Sequence, residues 1–331
     1  MKPSLLLIII VFFSSFILTW LVRYVALRRS LIDIPNERSS HTVPKPRGGG
    51  IAIVITWFIC VVFLFIHHDI QRGLFLALLC GLPVSLIGFL DDILKIEPRI
   101  RFLIQISAAA GAVLFLGGLS HIDLGFTTIS LPVVLSILAV VGIVWSTNLF
   151  NFLDGIDGYA STEMIFIGLS AFLLMGSVPP LYLAAIAAGF LIWNWQPAKI
   201  FMGDVSSTLL GFNIGIFAVY YQNTGTASIL IWIILYAIFW IDATITLYRR
   251  FKNREHLTQA HRKHAYQRIV QAGFSHQKTV LFSVILNLAG ALMALLSVKY
   301  PPLIILFLLA YTGFLLLVLR YIDKRYPFLP D

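Results

Sequence analysis

Apolar stretches long enough to cross a lipid bilayer recur along this chain and constrain its fold more than any other feature. A helix needs about 20 apolar residues to cross roughly 30 Å of hydrocarbon. Hydrophobic residues make up 59% of the chain and charged residues only 12%, which excludes a soluble or disordered protein. We predict an all-α integral membrane protein, with residues 1–331 forming a single polytopic domain. Eleven spans are expected, approximately at residues 4–27, 49–67, 73–90, 102–118, 132–150, 159–178, 181–196, 208–221, 227–247, 279–298 and 303–319.

The seventh and eighth stretches are short, so ten spans are the alternative. Lys and Arg near span ends are retained on the cytoplasmic side of a membrane. With the N-terminus outside, 21 of these residues face the cytoplasm and three, Lys2, Arg72 and Lys299, face outward. We therefore predict an outside N-terminus and a cytoplasmic C-terminus. The net charge of +9 follows from this topology and indicates no nucleic-acid partner.

The predicted cytoplasmic loops carry nearly all the polar chemistry. They span residues 28–50, 91–101, 151–158, 197–207 and 248–278, whereas the external loops are short. In the external loop 119–131, alternation of Thr127, Ile129 and Leu131 is typical of a small hairpin.

Six carboxylates recur at one kind of place, the cytoplasmic end of a span that runs from outside to inside. A single acidic residue there would be a solvated helix end, but acidic groups after four different spans favour a functional site. Helix C-termini are partially negative, so such a cluster needs positive charge nearby. The six residues are Asp91, Asp92, Asp154, Asp157, Asp204 and Asp242.

The segment NLFNFLDGIDG has the oxygen donors of a metal and phosphate site. Asn148, Asn151 and Asp154 are spaced three apart, so on a helical end they lie near one face. Carboxylate and amide oxygens suit Mg²⁺, which shares its coordination positions with waters and substrate phosphates. The segment IFMGDVSS adds Asp204 as a weaker indication.

Two basic loops supply candidate anion-binding groups. Loop 248–278 has eight Lys or Arg against one acid, Glu255. A topological anchor would explain that excess, but not the histidines interleaved in AHRKHAYQR, whose spacing suits hydrogen bonds to a phosphate or a base. Loop 28–50 adds a glycine run whose amides can approach an anion closely. The candidate donors in the two loops are His41, Lys45, Arg47, His261, Arg262, His264 and Arg268.

These motifs, in this order, resemble the polyprenyl-phosphate N-acetylhexosamine-1-phosphate transferases. The resemblance is carried by DIPNERSSH with PRGGG, GFLDD with Lys95, NLFNFLDGIDG, IFMGD and the histidine loop. It implies that Asp91 and Asp92 form an aspartate pair, that Asp154 is the metal ligand, and that Asp157 and Asp204 support catalysis. His261 and His264 correspond to the substrate-binding histidines. The expected binding residues are Lys95, Asn148, Asn151 and the seven donors of the basic loops.

The resemblance also implies the substrates and the setting. It leads us to expect Mg²⁺, with Mn²⁺ as an alternative, undecaprenyl phosphate, a UDP-N-acetylated sugar and the bacterial cytoplasmic (inner) membrane, with a homodimer left open. Two departures concern the branch: Ser206 stands where the family usually has Gly, and the histidine loop lacks consecutive histidines. This pattern resembles enzymes that initiate O-antigen or exopolysaccharide repeats, and argues against a muramoyl-pentapeptide substrate. The sugar is left open between GlcNAc and a 6-deoxy sugar such as FucNAc or QuiNAc.

The expected reaction brings two anions together, because a lipid phosphate attacks the β-phosphorus of the UDP-sugar and UMP leaves. Direct displacement and a covalent aspartyl intermediate both remain open, and Asp91 or Asp92 is expected either to take a proton or to orient Lys95. The rival interpretation is an ion-coupled secondary transporter. Transporter ion sites lie near the bilayer midplane, however, whereas these acids gather at one membrane face.

The uneven distribution of Lys and Arg leads to a topological prediction. A single cysteine near His261 should react with a membrane-impermeant reagent only after the cytoplasmic side is opened. A single cysteine near Tyr300 should react in intact cells. Labelling of both positions from outside would contradict the predicted orientation.

Overall fold

A computed structural model of the chain describes residues 3–29, 32–33, 44–257, 259 and 261–328. The predicted binding residue His41 lies outside these residues. The α-helices are α1 (Leu5–Arg28), α2 (Gly50–Ile66), α3 (Arg72–Leu79), α4 (Gly81–Leu94), α5 (Pro98–Phe115), α6 (Pro132–Phe152), α7 (Tyr159–Met175), α8 (Val178–Asn194), α9 (Asp204–Asn223), α10 (Ile229–Leu235), α11 (Ala237–Lys252), α12 (Ala265–Gln271), α13 (His276–Lys299) and α14 (Ile304–Arg325). A short 3-10 helix, Pro301–Leu303, leads into α14.

Two short antiparallel ladders complete the secondary structure of the described residues. Strand β1 (Ile32–Asp33) pairs with β2 (Lys45–Pro46), with Ile32 opposite Pro46. Strand β3 (Ile122–Asp123) pairs with β4 (Thr128–Ile129), with Ile122 opposite Ile129. The second ladder confirms the hairpin predicted within residues 119–131.

The helices confirm an all-α membrane protein. Each of the eleven predicted stretches coincides with one helix or one pair of consecutive helices. Within the described residues, six segments are long and apolar enough to cross a membrane: α1, α3 with α4, α5, α6, α13, and the 3-10 helix with α14. The pair α10 and α11, bent by 76°, makes a seventh if it is one span. Helices α2, α7 and α8 are apolar but have only 17 residues each. The count of eleven and the orientation of the termini stay predictions.

Helix α9 lies at the centre of the bundle. It packs most extensively against α6 and α4, and also against α2 and α10, and sixteen of its 20 residues are buried. A helix surrounded by other helices does not have to present an apolar face to lipid. This explains why α9 tolerates Thr208 and Asn213, whose side chains donate to backbone carbonyls four residues earlier at 2.6 and 2.8 Å.

The ends of α4, α6 and α9 meet where the polar loops begin. Helix α5 starts at a proline, a residue favoured in the first turn because its missing N–H would have had no helical partner there. Because α5 can begin at this proline, soon after α4 ends, the turn between the two helices is short. It holds Asp91 on α4 near Arg101 on α5. The carboxylate cluster is built around this turn and the first residues of α9.

Candidate functional site

Two polar loops run side by side at the start of α9. The Phe201 N–H donates to the Pro46 carbonyl at 2.9 Å, and the Gly49 N–H donates back to the Phe201 carbonyl at 2.9 Å. The Gly50 N–H then donates to the Met202 carbonyl at 2.9 Å. This backbone pairing holds Arg47 beside the first residue of α9.

Ser206, the residue of α9 that departs from the family pattern, fits because the residue facing it, at the start of α2, is a glycine. A Cβ atom on Gly50 would lie 1.9 Å from the Ser206 Oγ and 2.8 Å from the Met202 carbonyl oxygen, so a side chain there would displace the start of α2 from the start of α9. Helix α9 begins at Asp204 without disruption. The departure at Ser206 therefore leaves Asp204 where the motif predicts it.

The Asp92 carboxylate caps the N-terminus of α9. Its Oδ1 accepts the Asp204 N–H at 3.1 Å and its Oδ2 accepts the Val205 N–H at 3.4 Å. A carboxylate is stabilised there by the unpaired amides and the positive end of the helix dipole. Gly203, with φ +80°, makes the close approach, since a Cβ atom on it would lie 2.5 Å from the Asp92 Oδ2.

Two guanidinium groups bridge the aspartates. The Arg47 Nη2 lies 2.8 Å from the Asp92 Oδ1 and 3.1 Å from the Asp204 Oδ1. The Arg101 Nη1 contacts the Asp91 Oδ2 and lies 3.2 Å from the Asp204 Oδ2. Asp204 thus sits between two arginines, and three carboxylates share two positive charges.

Lys95 does not take the expected place beside the aspartate pair. It ends α4 in the left-handed conformation, with φ 52°, and its side chain is exposed. Among the described residues no acidic group pairs with it, and the two aspartates are paired with Arg101 and Arg47 instead. The reason is geometric: the chain turns away at Lys95, and α5 returns Arg101 to the cluster. Sequence reasoning counted Arg101 only as a topological charge.

Asp157 ties four segments together rather than facing open solvent. Its Oδ2 accepts the Ala198 N–H at 3.0 Å and lies 3.5 Å from the Lys45 Nζ, and its Oδ1 lies 3.4 Å from the His276 Nδ1. Burial opposes ionisation, but the His276 ring, the Ala198 amide and the Lys45 charge outweigh it and lower the pKa of Asp157. Asp157 therefore stays ionised at neutral pH.

Asp154 faces the same cluster, but no positive side chain among the described residues pairs with its carboxylate. Desolvation raises the pKa of its carboxyl well above the ordinary value, and the charge of Asp204 raises it further. Arg47 opposes the effect, while Asp92 and Asp157 add to it. Among the described residues none forms a hydrogen bond or ion pair with the Asp154 carboxylate. A carboxylate in such a negative field is stabilised by a cation.

The oxygen donors of the cluster suit a metal ion that the protein and the substrate phosphates bind together, rather than one coordinated by protein side chains alone. In the described part of the chain, no group of three His, Cys, Asp or Glu is arranged to hold a metal. Mg²⁺ does not require one, because it is commonly bound by one or two carboxylates, waters and substrate phosphates. The uncompensated carboxylate of Asp154 is suited to that mode of binding.

The two asparagines of the motif have different contacts in the structure. The Asn148 Nδ2 donates to the Gln105 Oε1 at 2.7 Å and to the Val144 carbonyl at 2.8 Å, which joins α6 to α5. The Asn151 carbonyl accepts the Asp154 N–H at 3.2 Å. The Asn148 amide is therefore engaged between helices, and Asn151 shapes the turn that carries Asp154.

The histidine loop is anchored by Asp242, which lies on α11. The Asp242 Oδ1 accepts the Ala265 N–H at 2.8 Å, and its Oδ2 accepts the Tyr266 N–H at 3.4 Å, so this carboxylate caps α12. The His264 Nδ1 lies 3.6 Å from the Asp242 Oδ1, and the ring is buried. His264 is thus in place to fix the loop rather than to reach an open site.

Tyr266 connects the histidine loop to the segment that carries Asp154. Its hydroxyl donates to the Phe152 carbonyl at 3.0 Å, at the end of α6, and its ring centroid lies 5.0 Å from that of Tyr159. Asp242, His264 and Tyr266 therefore act as one unit. Its position relative to Asp154 could not have been inferred from sequence, because the contact spans more than a hundred residues.

His261 has a defined protonation state. The Lys263 N–H donates to its Nδ1 at 3.2 Å, so the proton of the neutral ring is on Nε2. Burial lowers the pKa of His261 to about 3, and the neighbouring His264, Arg250 and Lys263 side chains add to the effect. At neutral pH the ring is uncharged and presents an Nε2–H donor.

Arg250 and Lys263, two further charged residues of loop 248–278, have structural partners. Arg250 is buried, and it lies 3.0 Å from the Glu255 Oε2 and donates to the His256 carbonyl at 2.6 Å. The Lys263 Nζ lies 2.8 Å from the Glu255 Oε1. Sequence reasoning took Arg250 for a topological charge, although it is a buried organiser of the loop.

Arg268, one of the predicted binding residues, makes contacts within the protein. Its guanidinium donates to the Asp323 Oδ1 at 2.8 Å and to the Tyr326 carbonyl at 2.6 Å, so it fastens α12 to the end of α14. The side chain is buried in that contact. Arg262 remains partly exposed, and its carbonyl accepts a hydrogen bond from the Gln271 Nε2 at 2.6 Å.

Fold and site together define a class of protein. The chain is a helical membrane protein in which helix ends and the adjoining loops bring together carboxylates, guanidinium groups and an ammonium group. Such a site can bind an anionic group together with a divalent cation.

Comparison with known proteins places the chain in a family. Residues 74–222 match the model described as glycosyl transferase family 4. A Bacillus subtilis protein named "Probable undecaprenyl-phosphate N-acetylglucosaminyl 1-phosphate transferase" is 31% identical over 283 residues, covering 80% of this chain and 76% of that protein. The undecaprenyl-phosphate alpha-N-acetylglucosaminyl 1-phosphate transferase of Yersinia pestis is 30% identical over 321 residues, covering 88% and 82%. The decaprenyl-phosphate N-acetylglucosaminephosphotransferase of Mycobacterium leprae is 30% identical over 311 residues, covering 81% and 77%. The chain belongs to glycosyl transferase family 4.

The bridge between Arg101 and Asp204 should be measurable as a coupling between two substitutions. In a double-mutant cycle with Arg101→Ala and Asp204→Asn, we expect a coupling energy on the order of 1 kcal/mol in the free energy of unfolding, because each substitution removes the same contact. The measurement is a denaturant titration of purified protein in detergent. Arg99→Ala is the matched control, since Arg99 is 88% exposed and pairs with Glu97. Equal coupling for both arginines would contradict the bridge.

Proposed function

We propose that this protein transfers a sugar 1-phosphate from a UDP-N-acetylhexosamine to undecaprenyl phosphate and releases UMP. The observation that carries the proposal is the uncompensated carboxylate of Asp154, which faces a cluster of aspartates bridged by arginines where helix ends meet. The names of the relatives support the same general reaction. The proposed location is the bacterial inner membrane, where the lipid phosphate and a cytoplasmic nucleotide sugar can meet.

The proposed metal position is Asp154, with Mg²⁺ as the natural ion and Mn²⁺ as a substitute. Held there with waters and phosphate oxygens, the ion supplies positive charge that reduces the repulsion between the two phosphate groups. Asp204 and Asp92 strengthen the negative field that favours the ion. This role needs no third protein ligand.

The cationic side chains are proposed to bind phosphate by exchanging partners. Arg47 and Arg101 now contact carboxylates and are 39% and 31% exposed, so a phosphate group can reach them. Guanidinium groups bind carboxylate and phosphate in the same geometry. Asp92 and Asp91 would hold the two arginines in place before the substrates arrive.

The chemical step does not require a strong general base. A phosphate monoester has a second pKa near 6, so the lipid phosphate is already largely dianionic at neutral pH. Asp91 and Asp92 are therefore proposed to orient the arginines that receive the phosphates. Asp157, which is ionised and held by Lys45, fixes the loop between Asp154 and α7.

The proposed nucleotide side of the site is the histidine loop. The Nε2–H of His261 can donate to a phosphate or base oxygen without carrying charge. The sugar is proposed to be GlcNAc or a 6-deoxy N-acetylated sugar, in the first membrane step of O-antigen or another surface polysaccharide. An ion-coupled transporter is disfavoured, because the carboxylates lie at helix ends and are fastened by arginines.

Release of UMP tests the reaction directly. Purified protein incubated with undecaprenyl phosphate and Mg²⁺ should release UMP from one UDP-N-acetylated sugar and form a lipid diphosphate sugar. Omission of the lipid phosphate is the control and should abolish the release. A panel of UDP-GlcNAc, UDP-FucNAc and UDP-QuiNAc identifies the sugar. Lack of lipid-dependent UMP release from every member of a wider panel would refute the proposal.

Comparing Asp154→Asn with substitutions of Asp91 and Asp92 distinguishes metal binding from the orientation of the arginines. The variant keeps the size of the side chain but removes its charge, so activity should fall about a thousandfold, which corresponds to about 4 kcal/mol of transition-state stabilisation. Extra Mg²⁺ should restore only part of it. Asp91→Asn and Asp92→Asn should lower the maximal rate with little change in the Mg²⁺ midpoint.

The measurement is a Mg²⁺ titration of UMP release at matched protein levels. Asp69→Asn, an exposed change between α2 and α3, is the control for a lost carboxylate and should behave as wild type. A wild-type rate and metal midpoint for Asp154→Asn would move the metal to Asp91, Asp92 or Asp204.

A further inference from the structure

A second buried carboxyl lies apart from the cluster, inside the helical bundle. Glu163, on α7, is 1% exposed, and its Oε2 accepts a hydrogen bond of 2.6 Å from the Nδ2 of Asn287 on α13. Asn287 is also 1% exposed. An ionisable side chain at such a place in a membrane protein is costly to keep unless a specific partner stabilises it.

The partnership with Asn287 is incomplete if Glu163 is ionised. The Glu163 Oε1 and the Asn287 Oδ1 are both buried acceptors, and neither has a hydrogen-bond partner among the described residues. In the same part of the chain no Lys, Arg or His forms an ion pair with Glu163. Two unsatisfied buried acceptors and an unpaired buried charge would both oppose folding of the bundle.

The polar neighbours of Glu163 supply neither a positive charge nor a hydrogen-bond donor for its Oε1. The nearby titratable groups are neutral phenols: Tyr159 on α7, Tyr236 between α10 and α11, and Tyr311 on α14. The Tyr236 hydroxyl donates to the Ser146 carbonyl at 3.1 Å, and the Tyr311 hydroxyl donates to the Leu286 carbonyl at 2.9 Å. These two hydroxyl protons are therefore already used.

We propose that Glu163 holds a proton at neutral pH and forms a reciprocal acid–amide pair with Asn287. The amide Nδ2–H donates to Oε2, and the carboxylic acid Oε1–H donates to Oδ1. One added proton satisfies both unpartnered acceptors and removes the buried charge. A carboxylic acid and a primary amide each offer one donor and one acceptor on a single carbon, so the two groups match in a planar ring.

The pair is a positioning device as well as a proton site. Helix α7 begins two residues after Asp157, and α13 begins at His276, whose ring lies 3.4 Å from Asp157. The acid–amide pair is thus a second joint between the same two helices, deeper in the bundle. It holds His276 against Asp157 without touching substrate, and this consequence rests on the proposed function.

Infrared spectroscopy tests the proton directly. Purified full-length protein at pH 7 should show the C=O stretch of a protonated carboxylic acid, sensitive to D₂O, that disappears in Glu163→Gln. Glu97→Gln is the matched control, because Glu97 is 60% exposed, and it should remove carboxylate intensity instead. If Glu163→Gln also removes carboxylate intensity and leaves the acid band unchanged, Glu163 is ionised and the proposal fails.

Asn287→Ala tests independently whether the acid group of Glu163 is hydrogen-bonded to Asn287. It keeps the acid but removes its partner, so the acid C=O band of Glu163 should persist and move to higher frequency. An unmoved band would show that Asn287 does not accept the proton. Neither spectrum depends on enzymatic activity, so this outcome is distinct from failure of the transferase proposal.

The positioning role is tested by rescue. Glu163→Leu removes both hydrogen bonds and should lower the thermal unfolding temperature and reduce kcat for UMP release severalfold with little change in KM. Glu163→Gln, which can form an amide–amide pair, should restore both from pH 6 to pH 8. A Gln variant as impaired as the Leu variant would contradict the reciprocal pair.

Discussion

The cap that Asp92 places on the N-terminus of α9 is the interaction on which the site depends. Helix α9 is enclosed by other helices, so its first amides have to be satisfied inside the protein rather than by bulk water. Asp92 satisfies two of them, and Gly203 allows the approach. The cap fixes Asp204 beside Asp92, and that proximity of like charges in turn requires Arg47 and Arg101. The central helix, the aspartate pair and both arginines are therefore parts of one electrostatic arrangement.

Within this arrangement the aspartates fall into two kinds. Asp91, Asp92, Asp157 and Asp204 each have a positive partner from a neighbouring loop or helix, whereas Asp154 has no ion pair among the described residues. The paired carboxylates build the site and fix its cations. The unpaired one is left with the negative potential of the others, which is the condition that favours a divalent ion. A cluster fully neutralised by the protein would have little affinity for a metal.

The sequence predicted the helical membrane fold from the length of its apolar stretches. It predicted that the carboxylates gather, because they lie at the ends of spans that run in the same direction across the membrane. The small hairpin of β3 and β4 was predicted from alternation alone. The partners of the aspartates could not be predicted, since a chain turn at Lys95 decides that Arg101 and not Lys95 reaches Asp91. In the same way, the sequence indicated a topological role for Arg250 and a binding role for Arg268. In the structure Arg250 pairs with Glu255 and Arg268 pairs with Asp323. Spacing identifies which residues can act, and tertiary contacts decide their partners.

Helix α7 shows two solutions to the burial of a carboxyl group within a few residues. Asp157, just before the helix, is ionised because Lys45, His276 and a backbone amide surround it. Glu163, almost two turns further on, has no cation within reach among the described residues and meets only an amide and neutral phenols. Burial therefore favours a neutral acid at Glu163 and a charged one at Asp157. Since His276 accepts the Asp157 N–H and Asn287 donates to Glu163, the same two helices are joined once at the site and once, through a carboxylic acid, inside the bundle.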